Sequence, residues 1–256
     1  MMFARLPRPL RGLASTAARS AALAGACAGL LAVAACSSPS SRFYTLGGEA
    51  APATASTAAA PALLIEVPPV DVPSQVAKNQ LVVQTGPTQV QVLELERWAS
   101  LPGDEIRRAL SSDLTQELGT IDVYGNAYPE GTPVYRVSVN VQRFESWPGS
   151  HALIDAVWSV RAVGSQTVMT CRSIVNQPVT GSYDQLVDGH RQAVQQISLQ
   201  IAAGIKAMAA APQVRTAAPA RNASGASARM APASVPCPLP SGANAALGGV
   251  AAASLD

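Results

Sequence analysis

Two long stretches of alternating residues, set back to back, constrain this chain more than any other feature. From Val134 to Glu145, the side chains Tyr135, Val137, Val139 and Val141 alternate with Arg136, Ser138, Asn140 and Gln142. Ala152 to Val163 carries Ile154, Ala156, Trp158 and Val160 on one face. A period of two over such lengths specifies strands with one buried and one wet face. Ser146-Trp147-Pro148-Gly149-Ser150-His151 between them has hairpin length. A third run, Thr167 to Val175, follows Gly164-Ser165-Gln166, so the three read as an antiparallel meander.

A sheet with one apolar face needs a cover, and two helical patterns supply it. Residues 102–118 begin with Pro102, Asp104 and Glu105, where a preset φ and negative charge suit a helix N-terminus. Ile106, Leu110, Leu114 and Leu118 line one face, and Gly119 is placed to end the helix. Tyr183 to Met208 forms a second, longer pattern with its stripe at Val187, Val194, Ile197, Ile201, Ile205 and Met208. Shorter apolar runs at Leu63–Val67, Leu81–Gln84, Val90–Leu95 and Ile121–Tyr124 read as further strands. The expected architecture is α/β: a mixed, largely antiparallel sheet with helices packed on it.

This folded domain occupies residues 62–210, and the remainder has a different character. The chain is 48% apolar but only 4% aromatic and 13% charged, with alanine concentrated at both ends. Residues 1–35 open with Arg5, Arg8, Arg11 and Arg19 and no acid, followed by a small-residue apolar run from Ala21 to Ala35. That is a charged region and a hydrophobic region of export-signal length, too short for a membrane span of ~20 residues. The run ends Leu31-Ala32-Val33-Ala34-Ala35-Cys36, similar to a bacterial lipobox, in which the cysteine thiol receives diacylglycerol and its freed amine a further acyl chain. Several chains on one residue anchor durably where one would not, at ~0.8 kcal/mol per buried methylene. A plain secretory signal, or cleavage at Cys27, is the alternative. Cys27 lacks the bulky residue three positions before it. Ser37 after the cysteine resembles the outer-membrane sorting pattern of envelope bacteria.

Residues 36–61, rich in Ser, Pro, Ala, Thr and Gly, read as the acylated cysteine and a flexible tether. A coil of about 25 residues spans on the order of 25–30 Å. Residues 211–256, Ala/Pro-rich and without an aromatic, read as a disordered tail. Removal of the four signal arginines leaves 14 basic against 16 acidic residues, so the formal +2 of the whole chain turns slightly negative. With no dense basic run, a nucleic-acid partner is excluded.

Candidates for chemistry are few. No phosphate loop, nucleophile elbow, zinc-protease motif or dinucleotide fingerprint occurs, and neither a cofactor nor a metal is expected. His151 falls in the hairpin loop, and His190 lies on the apolar stripe of the last helix, where a buried structural role outweighs catalysis. Ser182, Asp188 and His190 do not share a helix face and form no triad. Cys171, on a strand, reads either as a small buried hydrophobe or as a disulfide partner of Cys237. Arg97 and Trp98 at a strand-helix corner are candidates for interaction, with core packing as the competing reading.

Taken in order, the lipobox, Phe43-Tyr44-Thr45-Leu46, Val67-Pro68-Pro69-Val70, Gln80-Leu81-Val82, Arg97-Trp98-Ala99-Ser100-Leu101 and Leu114-Thr115-Gln116-Glu117-Leu118 resemble the PqiC-type, or ABC-type transport auxiliary, lipoproteins. The resemblance runs over about 43–208. It implies a non-catalytic outer-membrane lipoprotein facing the periplasm, with a three-layer α/β fold. It also implies partnership with an MCE-domain protein and its associated permease and ABC transporter in moving lipids or hydrophobic compounds between membranes, and a homo-oligomer. Where the family carries an Asp-Arg-Pro-Gln-like element, this chain has Ala77-Lys78-Asn79-Gln80, which sets that contact apart. A structural envelope lipoprotein without a transport role is the alternative function.

Overall fold

The computed structural model describes residues 40–47, 60–165, 167–210 and 236–238. Among the described residues, seven strands and two helices follow one another: β1 (Arg42–Tyr44), β2 (Leu64–Glu66), β3 (Gln80–Gly86), β4 (Gln89–Trp98), α1 (Pro102–Leu118), β5 (Val134–Trp147), β6 (His151–Ala162), β7 (Val168–Pro178) and α2 (Tyr183–Ala210). The α/β class is as the sequence implied. The strands divide between two sheets, one ordered β1-β4-β3 and the other β2-β5-β6-β7.

The meander β5-β6-β7 is antiparallel throughout, with Val139 opposite Trp158 and Trp158 opposite Cys171. Its alternation is visible in burial: Tyr135, Val137, Ile154, Trp158, Met169 and Cys171 face inward while Arg136, Asn140, Arg161 and Arg172 stay exposed. One irregularity between Val141 and Arg143 shifts the register and lets Phe144 and Ser146 continue the buried face. The hairpin is tighter than its sequence length suggested, because Trp147 pairs directly with His151. Strand β2 adds to this sheet in parallel, Leu64 opposite Val134.

Helix α2 lies on the apolar face of the meander, burying the whole stripe from Val187 to Met208. Close approach is permitted by Gly204, where a Cβ would stand 2.9 Å from the Met169 sulfur and 3.4 Å from the Trp158 ring. A buried polar relay crosses the same interface: Trp158 Nε1 donates to Ser173 Oγ at 2.8 Å, and Ser173 donates to Gln200 Oε1 at 2.5 Å. Helix α1 packs beside α2 with Ile106, Leu110 and Leu114 buried. It ends at Gly119, whose φ of 58° gives the left-handed closure expected of a glycine there.

Three sequence expectations change. Residues 121–124 form no strand. Asp122 makes a single bridge to Ile65, and its carboxylate accepts from the Val67 and Tyr124 N–H groups and from Ser111 Oγ. The aspartate side chain thus takes the place of a ladder. Residues 42–47, expected within the tether, are a strand, Arg42–Tyr44, and a loop that buries Leu46. Cys237, within the segment expected to be a disordered tail, forms the disulfide with Cys171 that the sequence had left as one of two readings, across 5.8 Å between Cα atoms.

Candidate functional site

The described residues nearest to Cys36 in sequence meet the domain at the corner where β4 turns into α1. Strand β1 is only three residues long, and short strands need help to stay paired. Arg42 supplies it by a fork on Glu96: Nη2 donates to Oε1 at 2.7 Å, and Nε lies 3.1 and 3.0 Å from the two carboxylate oxygens. Tyr44 donates its hydroxyl to the same carboxylate at 2.6 Å. The Arg42 hydrogen bond leads in holding the Glu96 carboxyl below its ordinary range, burial opposes it, and Tyr44 adds to it.

Glu105, in the first turn of α1, is the second fastening and is fully buried. One of its oxygens accepts from Thr45 Oγ1 at 2.7 Å and Leu46 N–H at 3.0 Å. The other accepts from Ser100 N–H at 3.1 Å, Ser100 Oγ at 2.6 Å and Arg108. Burial alone would raise this carboxyl. The hydrogen bonds from Ser100, Thr45 and the Leu46 N–H, together with the Arg108 charge, outweigh burial and hold it below the usual range. One carboxylate therefore ties together the segment after β1, the β4–α1 turn and the positive end of a helix.

The two interaction candidates separate here. Trp98 is 2% exposed, with its ring edge-on to Phe144 at 5.9 Å and 6.4 Å from His190, so it is a core residue. Arg97 stays at the surface, its Nε donating to the Glu94 carbonyl at 2.7 Å, and its cross-strand neighbour in β1 is the exposed Phe43. The divergent Asn79 is absorbed into this corner, its carbonyl accepting from Trp98 N–H at 2.6 Å. Cys36, the expected lipidation site, lies outside the described residues, as do the expected signal segment 1–35, most of the expected tether and most of the expected tail.

His190 is wholly buried, stacked on Phe144 at 4.0 Å, with Nε2 2.8 Å from Ser146 Oγ. Its partner is thus Ser146 on β5, while Asp188 pairs with Arg191 on the exposed side of the helix. Burial pushes the imidazole down to about 3, so the ring is neutral under ordinary conditions. Among the described residues no group of three or more His, Cys, Asp or Glu side chains could hold a metal ion, and no helix is long and apolar enough to cross a membrane.

Two adjoining clefts of about 210 and 230 Å³ run between α1 and α2, sharing Asp113, Gln116 and Gln195, with Leu46 at one end. Burial raises the Asp113 carboxyl, against a hydrogen bond from Ser198 at 3.1 Å. A less polar cleft of about 490 Å³ opens between Leu63, Tyr135, Val163 and Ala209.

The polar groups of this corner are thus engaged in holding an N-terminal segment to an α/β domain. The chain belongs to the family of ABC-type transport auxiliary lipoprotein components, whose model matches residues 44–202. That family consists of transport components and is not known as an enzyme family. Among solved structures, an uncharacterized protein shares the fold at a TM-score of 0.53 and 22% identity, over 65% of this chain and 99% of its own. A DUF330-family protein from Xanthomonas campestris aligns at a TM-score of 0.48 and 16% identity, again over 65% of this chain and 99% of its own. No curated protein matches the sequence.

Proposed function

We propose that this chain is the lipid-anchored accessory subunit of an MCE-type intermembrane transport system, acylated at Cys36 and facing the periplasm from the outer membrane. The observation that carries this reading is the family match over residues 44–202, and an N-terminal sequence that resembles an export signal ending in a lipobox supports it. The work of such a subunit is positional. Acyl chains hold it at the membrane, and the domain presents a surface to an MCE-domain partner linked to a permease and ABC transporter. The cargo is a lipid or another hydrophobic compound.

The fold supports this division of labour, because the strand that follows the proposed anchor is fastened by Glu96, and the residues just after it by Glu105. Substitution Cys36→Ala tests the anchor. The expected result is loss of labelled fatty acid and release of the protein from the outer-membrane fraction, and a variant that still fractionates with that membrane refutes lipidation at Cys36. Recovery of an MCE-domain protein with the tagged chain from solubilised envelopes tests the partner.

A further inference from the structure

Resting on the proposed acylation at Cys36, the spacing between that residue and the first clamped residue decides how the domain meets the membrane. Arg42 is already fixed to Glu96, so only six residue steps separate it from the lipidated cysteine. Fully extended they reach roughly 20 Å, and as a coil on the order of 13 Å. A tether ending near residue 61 would have left the domain free to turn. One ending at Arg42 holds the β1 corner next to the bilayer.

That corner carries an apolar surface that the core does not use. Phe43 is 66% exposed, although both its neighbours in β1 are engaged with Glu96. Its cross-strand partner is Arg97, and Leu95, two residues earlier on β4 and 40% exposed, is its diagonal neighbour on the same side of the sheet. An aromatic and an aliphatic side chain flanking an arginine, whose only ion pair among the described residues is a 3.7 Å contact with the exposed Glu94, match the boundary between lipid headgroups and acyl chains, where the ring and the aliphatic chain enter and the guanidinium meets phosphate. We infer that Phe43, Leu95 and Arg97 form a membrane-contacting face, seated on the phospholipid surface in which Cys36 is anchored.

The fold provides an internal reference. Helix α1 starts beside Thr45 through Glu105 and runs 17 residues, about 25 Å, so Ile121, 56% exposed just beyond its end, stands well away from β1. With Cys36 acylated, Cys27 removed with the signal and Cys171 bonded to Cys237, the mature chain has no other free thiol. The acylated protein with Phe43→Cys, Leu95→Cys or Ile121→Cys is labelled with a nitrobenzoxadiazole fluorophore and reconstituted into phosphatidylethanolamine/phosphatidylglycerol vesicles containing lipids brominated on their acyl chains.

Quenching several-fold stronger at positions 43 and 95 than at 121 is expected. Leu95→Cys reports from β4, so a disturbance of β1 by the label at 43 does not leave the question open. Equal quenching at all three sites on vesicle-bound protein overturns the proposed face while leaving the anchor intact. If the protein does not float with the vesicles at all, the acylation reading fails and this inference with it.

Discussion

Replacing Glu105 by glutamine keeps the shape of the side chain and removes both its charge and half of its accepting capacity. Each carboxylate oxygen accepts one backbone N–H, Leu46 on one side and Ser100 on the other, together with a hydroxyl. A glutamine amide must turn its NH₂ toward one of these pairs, so a buried backbone N–H faces a donor. An unsatisfied buried group costs about 1–3 kcal/mol. The lost charge assistance from Arg108 and the helix N-terminus adds to this, giving ~2–4 kcal/mol in all. The loss concentrates where Thr45 and Leu46 join the domain. Denaturant unfolding of Glu105→Gln reads the stability, and limited proteolysis reads the segment 42–47, which becomes susceptible before the rest of the domain. The charge also makes the effect depend on pH. Because the folded carboxyl ionises below its ordinary value of 4.5, its contribution is complete above that value and disappears as pH falls through the folded one. A variant within ~0.5 kcal/mol of wild type, with the N-terminal segment equally resistant, refutes the clamp.

Two further outcomes follow from the core and the tail. His190 is held neutral with its pKa at about 3, against 6.5 when exposed, so the unfolded chain takes up a proton that the folded chain refuses. Stability is therefore present above pH 6.5 and falls by ~1.4 kcal/mol per pH unit below it, and the paired substitution His190→Phe with Ser146→Ala flattens that slope in denaturation curves taken at pH 7 and pH 5. The Cys171–Cys237 disulfide closes a separation of 66 residues, worth about 4 kcal/mol by loop-closure entropy. Reductant or Cys237→Ser lowers the denaturation midpoint, and an unchanged midpoint with a free thiol count of two in the untreated protein contradicts the bond.

What the sequence made legible was local and periodic. The meander and both helices announce themselves because each buries one face over ten or more residues, and Pro102 and Gly119 mark the ends of α1 by their backbone preferences. Strand β1 was hidden because Arg42, Phe43 and Tyr44 are too few to show a period. They become a strand by pairing with β4, more than 50 residues away, where Glu96 also holds Arg42 and Tyr44. The same distance effect separated the strands into two sheets and left the Cys171–Cys237 pairing open in the sequence, since Cys171 lies on an edge strand and Cys237 stands between Pro236 and Pro238. Arg97 and Trp98 are adjacent in sequence and point to opposite sides of β4. Side-chain alternation required one of them to be buried, and only the packed structure says which.

The proposed role of this domain, as the membrane-held accessory of a transport assembly, is open to direct test. The most direct measurement is crosslinking in intact cells followed by affinity recovery of the tagged, acylated chain and identification of what comes with it. An MCE-domain protein is expected, lost when Cys36→Ala releases the chain from the membrane. Recovery of the chain alone, from cells in which the assembly is produced, contradicts it.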